Sequence, residues 1–282
     1  MTTVLEILDK GTAYLEKRGI AEARRNMQLL VAHQLDCTRM DLYLRFDEPI
    51  PEEQLEPLRT ALKKRGEGVP VQHLMGTVFF RAHEFKTDAR ALIPRPETEE
   101  LAEWLAKNVS LEAEAEVLDM GCGSGVLGLS LATDFPKAKV TLADVSADAL
   151  SLARENAAFT GLEDVEFIES DLFTGLAGRS FDLIVANLPY VPDGERSTVA
   201  IEVRHDPELA LYSGKDGLDL IRRFIPEALN HLKPNGWLAL EIGHDQSAAV
   251  EALMTRAGLR DVLTLNDLSG IPRFPIARAP EA

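Results

Sequence analysis

The sequence predicts an α/β chain: a doubly wound, mostly parallel seven-stranded sheet with an antiparallel edge hairpin, preceded by a small helical domain. Three observations predict it. From about residue 115 onward, apolar β-like runs alternate with stretches of helical spacing, the pattern of a parallel sheet covered on both faces. Before that point, apolar residues recur three and four apart with charged residues between them, as amphipathic helices do. A length of 282 residues suits one large domain and one smaller one, at roughly 150 residues per domain.

The elements follow in chain order. Leu5, Leu8, Leu15 and Ile20, then Ala23, Leu29, Leu30 and His33, mark the first helices. Pro51 with Glu52 and Glu53 reads as a helix start, where proline and acids suit the first turn. Gly66 and Gly68 mark its end. These segments form a helical domain over 1–75. Val78, Phe79, Phe80, Phe85 and Ile93 indicate short strands, a β-hairpin linking the domains over 76–95. Pro94 and Pro96 hold an extended lead-in to a helix whose first turn carries Glu97, Glu99 and Glu100. The large domain, 96–282, has strands at 116–120, 139–144, 165–170, 181–187 and 236–242. Helices over 147–159 and 217–232 fall between them. The stretch 261–278 holds two more β-like runs with no helix between, which suits an antiparallel edge hairpin. No internal repeat or low-complexity segment interrupts this order.

Composition removes several function classes. With 30 Lys+Arg against 46 Asp+Glu, the formal net charge is −16. Nucleic-acid affinity comes largely from Lys and Arg neutralising phosphates. An overall basic footprint is therefore missing, and non-specific DNA binding and anionic membrane surfaces are poor expectations. Cys37 and Cys122 cannot build a disulfide framework, the usage of a reducing compartment. The opening MTTVLEILDK has no basic segment before an apolar run, and no apolar stretch approaches ~20 residues. A cytoplasmic protein without signal peptide or membrane span is expected. The six histidines show no metal-ligand spacing, so no zinc site is expected.

Chemistry concentrates at three strand ends. The first is VLDMGCGSGVLGLSLA, residues 117–132. A strand closes on Asp119 and Met120; Gly121, Gly123 and Gly125 follow, interleaved with Cys122 and Ser124, and a helix starts at once. Glycines let the backbone turn tightly and approach a ligand, and the helix start offers free N–H groups. Gly123, Gly125 and Gly128 also satisfy the dinucleotide pattern G-x-G-x-x-G, so this loop alone leaves the cofactor open. Alternate glycines after an acidic strand end resemble the loop of S-adenosylmethionine-dependent methyltransferases. The second feature is Asp144, about twenty residues further on, where a carboxylate can accept both ribose hydroxyls of an adenosine. A helix-capping or turn role for Asp144 is the plain alternative, with Ser146 as a rival cap. Neither feature separates a methyl donor from NAD.

The third is Asn187-Leu188-Pro189-Tyr190, at the end of the run FDLIVAN. A buried amide needs partners, so Asn at a strand end beside a crevice reads as a polar grip. Proline stiffens the turn, and Tyr supplies a flat ring. Asn187 Oδ1 and the Leu188 carbonyl can accept the two hydrogens of a planar –NH₂ group while Tyr190 stacks on its face. An ordinary Asn-x-Pro turn is the alternative. Asn-Pro-Pro-Tyr in this place is the signature of methyltransferases acting on amide or exocyclic amino nitrogens. Leu188 replaces the usual first proline, which touches the rigidity of the loop and not the carbonyl.

The segments ALIPRPETEEL (91–101), HDPELALYSGKDGLDLIRRFI (205–225) and LKPNGWLALEIGHDQ (232–246) resemble the release factor glutamine methyltransferases, the PrmC or HemK family. The resemblance covers nearly the whole chain. IPRPETE favours this family over the related ribosomal-protein glutamine methyltransferases, whose equivalent segment usually reads PRSPIAE. The resemblance implies a class I S-adenosylmethionine-dependent methyltransferase fold with an N-terminal domain that docks the substrate. It implies methyl transfer from S-adenosyl-L-methionine to the glutamine amide of the Gly-Gly-Gln motif in class I peptide chain release factors. The donor then falls to Gly121, Cys122, Gly123, Ser124, Gly125, Asp144, Leu172 and Asn187, and the substrate to Asn187, Leu188, Pro189, Tyr190 and Arg95. Leu172 matches a position flanking the adenine, although core packing explains it better. Arg95 either grips the substrate or pairs with nearby acids. A monomer without direct nucleic-acid contact is expected, its acidity steering a basic protein partner. Three rivals stay open: an adenine-N6 methyltransferase needing a basic channel, a non-catalytic donor-binding module, and an NAD enzyme, which leaves NLPY unexplained.

Overall fold

A computed structural model describes residues 2–162 and 164–281. The chain divides into two compact units, Met1–Thr77 with Ala200–His205, and Val78–Val199 with Asp206–Ala282.

The first unit is helical: α1 (Val4–Lys17), α2 (Ala23–Gln34), α3 (Glu52–Gly66) and α4 (Val71–Met75). Thr3 caps α1, its hydroxyl accepting from Glu6 N. The buried face of α1 is Val4, Leu8, Gly11 and Leu15, so Leu5 lies off it. Gly11 matters for packing, because a Cβ there would clash with Met27 Sδ on α2. Arg65 is the buried charge of this unit. Its Nε donates to Asn26 Oδ1 at 2.7 Å and its Nη2 pairs with Glu202, as a buried guanidinium requires.

The second unit opens within β1 (Thr77–Phe80), which pairs with β2 (His83–Lys86) as a two-stranded sheet. Phe80 and Phe85 point into the core. After α5 (Pro96–Asn108) come β3 (Glu116–Met120), α6 (Val126–Asp134), β4 (Lys139–Asp144), α7 (Ala147–Thr160), β5 (Glu166–Glu169) and β6 (Phe181–Ala186). Then follow α8 (Asp219–Asn230), β7 (Leu232–Leu240), α9 (Ser247–Ala257), β8 (Arg260–Asn266) and β9 (Pro272–Arg278). The seven-stranded sheet runs β5-β4-β3-β6-β7-β9-β8. Its first five strands are parallel, while β9 is antiparallel to both β7 and β8.

Both faces of the sheet are buried, and alternation along each strand divides them. Val117, Leu183 and Val185 face the layer made with Leu101, Leu105, Leu127, Leu150 and Ala153 of α5, α6 and α7. Leu118, Met120, Ile184 and Ala186 face Ile221, Phe224, Val250 and Met254 of α8 and α9. This is why the strands read as nearly continuous apolar runs. Strand β7 begins four residues earlier than the sequence suggests. Pro234, Asn235 at φ 61° and Gly236 are absorbed where the β6–β7 register shifts between Phe181 and Leu183. Chain order reverses between β3 and β6, so a crevice opens beyond their C-terminal ends, where ligands bind in doubly wound sheets.

Candidate active site

The loop after β3 is shaped by its glycines. Gly121, Gly123 and Gly125 have φ of 70°, 54° and 82°, a left-handed backbone costing other L-residues about 1–2 kcal/mol. Gly121 N and Cys122 N donate to Ala143 O at 2.8 and 3.1 Å, which ties the loop to β4. A Cβ at Gly121 would sit 2.8 Å from Leu188 Cδ2. The loop also depends on Asn156 of α7. That fully buried amide donates to Ser124 O at 2.9 Å and to Lys86 O, and accepts from Lys86 N at 2.7 Å.

Two carboxylates flank this loop. Asp119 is 1% exposed; its Oδ2 accepts from Gly128 N at 2.8 Å, while its Oδ1 has no partner. Burial pushes this carboxyl up to about 7. A buried polar atom without a protein partner is open to a ligand donor. Asp144 Oδ2 accepts from Gly123 N and its Oδ1 from Ser146 N, each at 2.9 Å. Burial raises this carboxyl as well. The helix cap itself is Ser146, whose hydroxyl accepts from Ala149 N. Each Asp144 oxygen therefore keeps a lone pair for a ligand hydroxyl.

A cavity of about 370 Å³ lies over these residues, within the range of roughly 300–1,000 Å³ common for small-molecule sites. Of the residues expected at the site, Gly121, Cys122, Gly123, Ser124, Asp144, Leu172, Asn187, Leu188, Pro189 and Arg95 line it. Gly125 does not; it caps α6 and packs against Ala153 and Leu142. Tyr190 lies beside the cavity without lining it. Leu172, at φ 49° and 4% exposed, belongs to the hydrophobic core and also borders the cavity. Arg95 Nη2 pairs with the buried Asp206 at 2.9 Å, and Asp206 also accepts from Ile93 N. Burial of Cys122 pushes its thiol up, away from nucleophilic reactivity.

The far end of the cavity holds the Asn-Leu-Pro-Tyr segment. Asn187 Nδ2 donates to Thr98 Oγ1 at 3.1 Å, and Thr98 Oγ1 donates to Glu241 Oε2 at 2.6 Å. Glu241 Oε1 accepts from the Tyr190 hydroxyl at 3.4 Å. Gln246 Nε2 holds the Tyr190 carbonyl at 2.9 Å. Among the described residues, neither Asn187 Oδ1 nor the Leu188 carbonyl accepts a hydrogen bond. Thus two acceptors from adjacent residues at the cavity wall are unpartnered. Sequence reasoning assigned no role to Thr98, Glu241 or Gln246, although each lies in a segment that carried the family resemblance. Asp119 was signalled only as an acidic strand end.

Among the described residues, no group of His, Cys, Asp or Glu is placed to hold a metal ion, and no helix is long and apolar enough to cross a membrane. The PrmC N-terminal domain family matches residues 6–76, and the Methyltransferase small domain family matches residues 97–206. The release factor glutamine methyltransferase of Deinococcus radiodurans is 41% identical, covering 97% of each chain. That of Xylella fastidiosa is 38% identical over 91% of this chain and 94% of its own. In fold, the chain is similar to the Thermus thermophilus 16S rRNA N2 G1207 methyltransferase, solved with AdoMet and guanosine. The TM-score is 0.52 at 20% identity, over 73% of this chain and 50% of that one.

Proposed function

The chain belongs to the release factor glutamine methyltransferases, and we propose that Asn187 and the Leu188 carbonyl hold the amide nitrogen that it methylates. That nitrogen belongs to the glutamine of the Gly-Gly-Gln motif in class I peptide chain release factors. The observation that carries this reading is the pair of unpartnered acceptors at the cavity wall, Asn187 Oδ1 and Leu188 O.

S-Adenosylmethionine, when bound, supplies a methyl group already activated on a sulfonium. The residues present fit it. The free Oδ1 of Asp119 suits the ammonium of its methionine part, and the Asp144 oxygens suit the ribose hydroxyls. Leu172 and Leu220 offer apolar flanks for the base.

The remaining work is positioning. An amide nitrogen is a poor nucleophile because its lone pair is delocalised into the carbonyl. The two acceptors take its two hydrogens and turn the lone pair toward the methyl carbon. Tyr190, held at its hydroxyl and its carbonyl, is fixed beside the cavity, next to Pro189 in its wall. Such positioning supplies roughly 7–11 kcal/mol in favourable cases. One C–N bond forms as the methyl leaves sulfur. The nitrogen is strongly acidic once methylated, so its proton passes to water without a dedicated base. Arg95, fixed by Asp206, lines the cavity and is assigned to the substrate segment in this reading. A cytoplasmic monomer with the helical N-terminal domain as docking element completes the proposal. Peptide mapping of a release factor incubated with the protein and donor tests it. The added methyl belongs on the Gly-Gly-Gln glutamine; a methyl on any other residue contradicts the reading.

A further inference from the structure

An asparagine carboxamide has two ends of nearly the same shape and opposite hydrogen-bonding character. With Oδ1 toward the cavity, Asn187 accepts a hydrogen from an incoming –NH₂. Turned over, it presents a second donor and repels that group. Shape and burial do not choose between the two; hydrogen bonding does. Thr98 has one hydroxyl hydrogen, given to Glu241 Oε2 at 2.6 Å. Only lone pairs remain on its oxygen, so only the Nδ2 end of Asn187 can meet it, as it does at 3.1 Å. Thr98 is 4% exposed and Glu241 2%, which keeps water from competing for either bond. The second carboxylate oxygen of Glu241 takes the Tyr190 hydroxyl. One buried carboxylate thereby holds both polar side chains of the motif, Tyr190 directly and Asn187 through Thr98.

We propose that Glu241 is the positioning residue of the acceptor end: acting through the Thr98 hydroxyl, it fixes the Asn187 carboxamide with its oxygen toward the substrate nitrogen. The inference rests on the reading above, that Asn187 accepts from an amide –NH₂.

The relay has a direction only while Glu241 is ionised. A protonated Glu241 donates to Thr98, releases the Thr98 hydrogen toward Asn187 and favours the turned-over amide. Burial pushes Glu241 up to about 7. The groups facing it are Glu97 of α5, which raises it further, Arg273 of β9, which lowers it, and the hydroxyls of Thr98 and Tyr190. Arg273 is itself shared with the buried Asp267.

The test uses the full chain with a release factor, comparing wild type, Thr98→Val, Thr98→Ser and Glu241→Gln. Thr98→Val keeps the shape and removes the relay. Two hydrogen bonds go, and losing the one that selects the orientation of Asn187 should lower kcat about 5–30-fold. Donor Kd by calorimetry and KM for the release factor should stay unchanged, which also shows that the variant folds. Thr98→Ser restores the hydroxyl and should restore kcat. At saturating donor, wild-type kcat should fall on the acid side of about pH 7, and Glu241→Gln should remove that limb. Proton exchange of the Asn187 Nδ2 hydrogens, followed by ¹⁵N NMR, should be slow in wild type and fast in Thr98→Val. Thr98→Val with wild-type kcat, or Glu241→Gln with a wild-type pH profile, overturns the inference alone. A wild type that binds donor yet leaves the glutamine unmethylated overturns the functional reading, and the inference with it.

Discussion

The two ends of the cavity are built by different means. The end we assign to the donor is backbone: left-handed glycines, loop N–H groups tied to β4, and Asp144 accepting from the amides of Gly123 and Ser146. The acceptor end is side chain: Asn187, Thr98, Glu241 and Tyr190 in one hydrogen-bonded row drawn from α5, the end of β6 and the end of β7. A backbone-built site binds by shape and is sensitive to strain. A side-chain row selects by hydrogen-bond direction, and one altered member can reverse it. The difference teaches that donor binding and methyl transfer should be separable by mutation.

The strongest way to break that separation is Asn187→Ala. Removing the central acceptor should lower kcat about 10²–10³-fold, as loss of one donor does in comparable electrostatic sites, with donor Kd unchanged by calorimetry. A matching loss of donor affinity would merge the two ends. Asp144→Ala is the opposite probe. Hydrogen bonds to a charged group contribute about 1.5–3 kcal/mol each, so losing the two to the ribose hydroxyls should weaken donor affinity by roughly 10²–10⁴-fold while kcat at saturating donor survives. A smaller effect concerns pH. Asp119, pushed up to about 7 by burial, must be ionised to pair with an ammonium. It is ionised above that value and neutral below it. Donor affinity should therefore fall as pH drops through 7, by up to about tenfold for a shift of one pKa unit. A titration flat across pH 7 would remove Asp119 from the donor end. The smallest effect is expected from Leu188→Pro. The Leu188 N–H donates no hydrogen bond among the described residues, and proline keeps the carbonyl. Steady-state kcat should change by less than about fivefold, ~1 kcal/mol; a larger loss would mean the leucine side chain over Gly121 has a role of its own.

How far each end was legible in the sequence follows from the same contrast. The glycine loop is contiguous, and its chemistry is carried by residue type at adjacent positions. Gly121, Cys122, Gly123, Ser124 and Asp144 line the cavity. Asn187 to Pro189 could be read because a strand-end amide is a polar anomaly in an apolar run. Thr98 could not. It lies 89 residues from Asn187 and 143 from Glu241, and its hydroxyl in a first helical turn reads as ordinary capping. Glu241 extends an apolar strand, where an acid signals burial but not its partner. Arg95 left two readings open because its partner, Asp206, lies 111 residues away. The order of strands followed from alternation, whereas the early start of β7 did not, since Pro234 and Asn235 disguise a register shift as a turn. Local geometry is written in neighbouring residues; long-range hydrogen bonding is visible only once the sheet has brought the strand ends together.

The most direct measurement incubates the protein with methyl-labelled S-adenosylmethionine and a release factor whose Gly-Gly-Gln glutamine is intact or changed to alanine, with single-stranded and duplex DNA alongside. Label on the intact factor alone is the predicted result. Label on the alanine variant, or on adenine in either DNA, would contradict an acceptor end built for the glutamine amide.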